Sequence, residues 1–264
     1  MVTLKSTNRS RERILAFGME GAGKTFGWFS IAAKTDGHFY VLDTDNTVEP
    51  FLDGERFGEL ADRVTYHVPW GGWEEYVDFL DKALTDMGPE DWLVVDRVDQ
   101  VWEEAQQEFS RKIFDQGIDE VWMTYRTAME NDKDKKGGSP FDGFTDWAVI
   151  KKLHSRFMVG DSTKPGLIRA PGHVYLTAGE KRVDSKLEKD PNVLRTYSRI
   201  GVRPAGNKEN GHMVRTVLRF IGNTPETWRL TTVKDRERAQ LDAVKVGDFA
   251  TDYLLKIAGW RPGK

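Results

Sequence analysis

The sequence predicts an α/β fold, a mostly parallel sheet flanked by helices with an antiparallel extension near the C-terminus. Short apolar runs alternate with amphipathic stretches as far as residue 180, the pattern of strands joined by crossover helices. A glycine-rich turn, Gly18-Met-Glu-Gly-Ala-Gly-Lys-Thr25, joins the first apolar run to the first helical one. Two later apolar runs flank Gly222-Asn223, a hairpin signal.

The elements follow in order. Met1 to Arg11 is polar and basic and reads as a flexible arm; residues 12–264 read as a single domain, since no linker or repeat interrupts them. Glu12 to Phe17 is the first predicted strand and Lys24 to Lys34 the first helix. His38 to Leu42 is a second strand, expected beside the first, and it ends in Asp43-Thr44-Asp45-Asn46. Arg63 to Val68 alternates apolar and polar residues, as a third strand does. Trp73, Tyr76, Val77, Leu80 and Leu84 form a helical stripe, which Gly88-Pro89 ends. Trp92 to Val95 is an apolar strand closed by Asp96, and Val98 to Phe114 is a helix. Asn131 to Gly138 is charged and glycine-ended, hence a mobile loop. Thr145 to Met158 is a helix with Trp147, Ile150, Leu153 and Phe157 on one face, and His173 to Thr177 is a strand. Val214 to Ile221 and Thr227 to Val233 are the two late strands, and Leu241 to Ala258 is a closing helix.

Composition excludes several classes. There is no cysteine, so disulfides and cysteine zinc sites are out, and the five histidines have no metal-ligand spacing. No apolar run approaches the ~20 residues of a membrane span. The first residues lack the apolar core of a secretory signal, so a cytoplasmic protein is expected. The net charge is −3, from 39 Lys/Arg and 42 Asp/Glu. It is unevenly spread: Lys181 to Arg215 holds nine Lys/Arg against four Asp/Glu, an excess of five positive charges. Such asymmetry points to a surface facing a polyanion.

Gly18, Gly23, Lys24 and Thr25 fit the phosphate-binding pattern G-x-x-x-x-G-K-[ST]. A phosphate chain needs inward-pointing backbone N–H donors, which side chains would block; Gly18, Gly21 and Gly23 let the backbone wrap closely. The loop residues Gly18, Glu20, Gly21, Ala22, Gly23, Lys24, Thr25 and Phe26 are therefore the predicted nucleotide contacts. Lys24 reaches the β- and γ-phosphates, and the Thr25 hydroxyl binds Mg²⁺. Asp96, ending an apolar strand, is the second Mg²⁺-side carboxylate; the alternative is an Asp that caps the next helix. Many NTPases place a Glu after that Asp to polarise water, but Arg97 stands there. Asp45 is the preferred water-activating base, with Asp43 either structural or the true base, and Glu180 and Asp99 behind them.

Phe39-Tyr-Val-Leu-Asp-Thr-Asp-Asn-Thr-Val-Glu-Pro50 resembles the second-strand segment of RecA-type recombinases. In that family an acid two positions past the strand-end Asp activates water, and Asp45 falls there, where those proteins carry Glu. Trp92 to Asp96 resembles the family's metal-binding strand, and His173 to Thr177 its strand ending in a polar γ-phosphate sensor, although Ala178 follows where an Asn-Gln pair is usual. Thr231-Thr-Val-Lys-Asp-Arg236 resembles the finger motif of DnaB- and KaiC-type relatives, whose Lys and Arg reach a neighbour's ATP. The alternative is a solvated charge run. The whole, over residues 12–240, is similar to compact bacteriophage RecA-like ATPases of the Sak single-strand-annealing type.

That resemblance implies a RecA-like P-loop core using ATP and Mg²⁺, with Lys24, Asp45, Asp96, Lys234 and Arg236 catalytic. It implies a homo-oligomeric ring or filament, action on DNA in recombination, repair or annealing, and a single-strand-binding protein as a partner. Val183 to Asn210 is the expected strand-facing loop, with Lys186, Lys189, Arg195, Arg199 and Arg203 on phosphates and Tyr197 stacking on a base. Asp132 to Lys136 is a second candidate loop, and a solvated surface insertion is the alternative to both. A helicase or packaging motor, a small-molecule kinase and a nucleotide-dependent switch share the loop chemistry.

Overall fold

The computed structural model describes residues 11–131, 139–235 and 240–256. The expected arm, apart from Arg11, and the loop Asp132 to Lys136 lie outside the described residues.

An eight-stranded sheet forms the centre. Its strands are β1 (Arg13–Gly18), β2 (Phe39–Asp43), β3 (Val64–His67), β4 (Trp92–Asp96), β5 (His173–Ala178), β8 (Thr216–Ile221), β9 (Arg229–Asp235) and β10 (Val244–Lys245). A separate antiparallel pair joins β6 (Glu180–Arg182) to β7 (Val202–Pro204). The order in the large sheet is β10-β9-β8-β1-β5-β4-β2-β3. The six strands from β8 to β3 are parallel, and β9 and β10 add antiparallel edges. The predicted α/β class with a late antiparallel extension is what forms.

One expected adjacency fails. The second strand does not lie beside the first; β5 and β4 stand between them. β5 pairs with β1 along one edge and with β4 along the other.

Because side chains alternate along a strand, each buried strand feeds two cores. Ile14, Ala16, Phe39, Val41, Trp92, Val94 and Tyr175 face one side, where α1 (Lys24–Ala32) and the last described turn pack. Leu15, Phe17, Leu42, Leu93, Val95, Val174 and Leu176 face the other. That face is covered by α3 (Trp73–Asp86), α4 (Val98–Phe114) and α6 (Thr145–Met158). α2 (Val48–Leu52) follows β2, and α5 (Ile118–Asn131) follows α4.

The closing helix expected over Leu241 to Ala258 is absent as such within the described residues. Val244–Lys245 pairs with β9, and a single wide helical turn covers Ala250–Leu255. Leu241 and Val246 are buried against β9's side of the core, so strand pairing wins over helical propensity here. Likewise Val183 to Asn210 is not one loop. It holds α7 (Pro191–Tyr197), capped by the Asp190 carboxylate at the N–H groups of Asn192 and Val193, and then β7. α8 (Asn210–Met213) follows. No described helix is long and apolar enough to cross a membrane.

Candidate functional site

The glycine turn connects β1 to α1. Gly18 leaves no room for a side chain, since a Cβ there would come within 2.2 Å of the Phe220 carbonyl oxygen on β8. Gly21 and Gly23 have φ of 73° and 86°, the left-handed region that glycine enters without penalty. The loop is thereby tight enough for its own lysine to close it. Lys24 Nζ donates to the carbonyls of Gly18 (3.0 Å) and Met19 (2.8 Å). Burial lowers its pKa, while Asp96 opposes that shift. Glu20 is exposed at the tip, Ala22 is buried, and Phe26 is buried in the first turn of α1.

Asp96 ends β4 on the same side of the sheet. It is 1% exposed, and burial is the main force raising its pKa. Hydrogen bonds oppose that rise: Thr177 Oγ1 donates to Oδ1 (2.5 Å) and Trp28 Nε1 donates to Oδ2 (3.2 Å), and the nearby Thr25 side chain lowers it as well. The loop hydroxyl and the strand-end carboxylate, predicted 71 residues apart, thus meet. Both are hard oxygen donors of the kind Mg²⁺ takes when phosphates complete its shell, so the pair fits that ion. Among the described residues no cluster of three or more His, Cys, Asp or Glu gathers to hold a metal by itself.

Thr177, at the end of β5, is fully buried. Its hydroxyl donates to Asp96 and accepts from the Arg97 N–H (2.9 Å), so it fixes the acid and the turn after it. Arg97 itself sits at φ 84°, which is strained for a side chain of its size, and its guanidinium pairs with Asp99 at 2.7 Å. Asp99 therefore has a partner in Arg97, and Glu180 has one in Arg219 at 3.2 Å.

Asp43 and Asp45 differ. Asp43 is buried, and its carboxylate accepts from the N–H groups of Thr47 (3.0 Å) and Val48 (2.9 Å) at the start of α2, a structural task. Asp45 is exposed on the turn after β2. Its pKa is pushed up to about 6, first by desolvation and then by the charge of Asp96. Although β2 is two strands further from β1 than expected, Thr44 ties its end to β4: the Thr44 N–H and Oγ1 donate to the Asp96 carbonyl at 3.1 and 2.7 Å. That tie keeps Asp45 within electrostatic reach of Asp96 and Lys24.

Lys234 lies on β9, half-buried, and its ammonium donates to the carbonyls of Gly211 (2.9 Å), His212 (3.2 Å) and Val214 (2.5 Å). It is engaged within its own chain rather than aimed outward. Arg236 lies outside the described residues.

The basic stretch divides in two. Lys186, Lys189, Arg195 and Arg199 are exposed. Tyr197 and Arg203 are not, at 3% and 7% exposure. The Tyr197 ring meets Phe17 edge-on at 6.4 Å, so it anchors α7 to the sheet and presents no face to a base. Arg203 donates to the Pro204 carbonyl at 2.7 Å. Trp228 and Arg56, which the motif does not include, also border the glycine loop; the Trp228 Nε1–H donates to the Gly21 carbonyl at 2.9 Å.

No family model matches this chain. No curated protein matches it either. Among solved structures it is similar to the crystal structure of the RadB recombinase, with a TM-score of 0.44 and 12% identity, over 86% of this chain and 83% of that one.

Proposed function

We propose that the chain is a RecA-like ATPase that binds ATP with Mg²⁺ at the glycine loop and hydrolyses it during DNA recombination, repair or single-strand annealing. One observation carries the reading: Thr25 and Asp96 meet beside a glycine cradle that holds Lys24. A phosphate cradle flanked by a hydroxyl and a buried carboxylate is what a metal–triphosphate pair requires.

In this reading the residues take the following roles. The N–H groups of the turn and the start of α1 hold phosphate oxygens. Lys24 exchanges its two carbonyl partners for phosphate and neutralises charge there. Mg²⁺, when bound, supplies further neutralisation of the β- and γ-phosphates. Asp45 orients the attacking water, a task suited to a carboxylate with a pKa of about 6. Arg236 reaches a neighbouring protomer's nucleotide in a ring or filament, and Lys234, bonded to three carbonyls, steadies the strand that leads to it. Lys186, Lys189, Arg195 and Arg199 face single-stranded DNA, and a single-strand-binding protein is a further partner. The resemblance to bacteriophage RecA-like ATPases supports a phage-encoded protein acting in the host cytoplasm.

A second reading is a nucleotide-dependent switch with little turnover. Its support is the residue after Asp96, which is an arginine paired with Asp99 rather than a carboxylate free to polarise water. Phosphate release measured with and without single-stranded DNA, with particle size by light scattering, separates them. The ATPase reading expects magnesium-dependent release that DNA stimulates, from particles larger than one chain. Tight ATP binding without release favours the switch, and no ATP binding removes both.

A further inference from the structure

The cleft beside the glycine loop extends past the phosphate-binding atoms. It encloses about 380 Å³ between the start of α1, the segment after α2 and the β8–β9 connection. Its floor is the loop, at Gly21, Gly23, Lys24 and Thr25. Its walls include three flat groups from three separate parts of the chain: Phe26, Arg56 and Trp228. The Phe26 and Trp228 rings lie 5.0 Å apart between centroids, at 44°. The Arg56 guanidinium carbon stands 4.3 Å from the Phe26 centroid.

Trp228 is held in place from below. Its Nε1–H is bonded to the Gly21 carbonyl, and its ring fills the space a side chain at Gly23 would need, 2.8 Å from where a Cβ would stand. Arg56 is exposed over the cleft while Phe26 beneath it is buried. No acidic side chain lines this cleft among the described residues.

We propose that this part of the cleft takes the purine base of the bound nucleotide, gripped by its faces against Trp228 and Arg56; the proposal rests on the triphosphate reading of the loop. Indole and guanidinium planes both stack on flat π-systems, and every base has such a face. A pocket that selects guanine needs an acceptor for its ring and amino N–H groups, and a carboxylate is the usual strong one. With no carboxylate lining the cleft among the described residues, face contact is the main recognition, so ATP and GTP bind alike.

Calorimetric titration of the full-length protein, with magnesium, tests this using ATP, GTP and inorganic tripolyphosphate. Trp228→Ala and Arg56→Ala should each weaken ATP and GTP about tenfold, the scale of one lost stacking partner. Arg56→Ala should leave tripolyphosphate within about twofold, and Trp228→Phe should keep most of the nucleotide affinity. An equal loss for tripolyphosphate would mean that Trp228 only props the loop. Unchanged ATP affinity in both alanine variants would put the base elsewhere. A preference of more than about a hundredfold between ATP and GTP would overturn face-only recognition. Wild-type protein that binds tripolyphosphate as tightly as ATP removes the base slot alone. Wild-type protein that binds neither removes the triphosphate reading and the slot with it. Arg56 is exposed, so its variant tests the slot even where Trp228→Ala disturbs folding.

Discussion

The glycine-loop end of the sheet and the basic segment from Lys181 to Arg215 are built in opposite ways. At the first, polar groups of the candidate site are held by partners: buried Asp96 by Thr177 and Trp28, half-buried Lys24 by two carbonyls. At the second, the charged groups stand in water, and the buried residues, Tyr197 and Arg203, fasten the segment to the sheet. A site defined by backbone wrapping needs fixed side chains, because a shift of an ångström costs it function. A site defined by charge needs only density and reach, because phosphate attraction is long-ranged and unoriented. The same residue types therefore mean different things at the two ends.

The sharpest way to break that contrast is to alter both ends and compare. Lys24→Ala should lower the rate of ATP hydrolysis by about a hundredfold or more while the thermal melt moves little, because its partners are loop carbonyls at the surface. At the basic end, Tyr197→Ala should do the reverse. It removes a buried ring and should cost roughly 3 to 5 kcal/mol of stability by denaturant titration. If Tyr197→Ala instead left stability intact and weakened DNA binding, the ring would be a stacking platform after all.

His154 sharpens the contrast through pH. It is fully buried beneath Trp102, and burial pulls its pKa down to about 4. The unfolded chain takes up that proton near pH 6.5, and the folded chain does not until about 4. Stability is therefore full above pH 6.5 and falls as the pH drops toward 4, by about 3 kcal/mol over that window. Urea melts at stepped pH should show the slope, and His154→Gln should flatten it. Asp45 gives a second pH dependence, read in the rate of hydrolysis. Its pKa of about 6 means that the base gains its charge as pH rises, so hydrolysis should climb with a midpoint near there. Asp45→Asn should abolish the climb; a profile unchanged by it would hand the task to another group.

The smallest effect belongs to the exposed cations. Lys186→Ala with Lys189→Ala should leave stability within about 0.5 kcal/mol. Single-stranded DNA affinity should weaken, and its salt dependence should flatten by a slope of about one per lysine. Titrations at two salt concentrations read this directly.

The glycine loop and Asp96 were legible because their signals are local: a spacing set by backbone wrapping, and an acid at the end of an apolar strand. Strand order was not, since nothing within His173–Ala178 states that it will lie between β1 and β4. Arg56 and Trp228 were missed for the same reason, as distant elements bring them to the loop. α5 left little trace, with Val121 its one buried residue. Tyr197 was misread because charge density around it suggested a wet surface, whereas its helix, capped by Asp190, turns the ring inward.

The strand between β1 and β4 sets how finely the loop and the acid can be adjusted. At its start the His173 imidazole accepts from the Glu12 N–H at 3.0 Å; at its end Thr177 grips Asp96. It acts as a spar joining the chain's entry to its reactive corner. Sliding a spar of this kind by one residue would turn every side chain to the opposite face, moving Tyr175 and Leu176 into each other's cores. The separation between cradle and carboxylate is thus quantised: mutation can dismantle it, but cannot tune it by degrees.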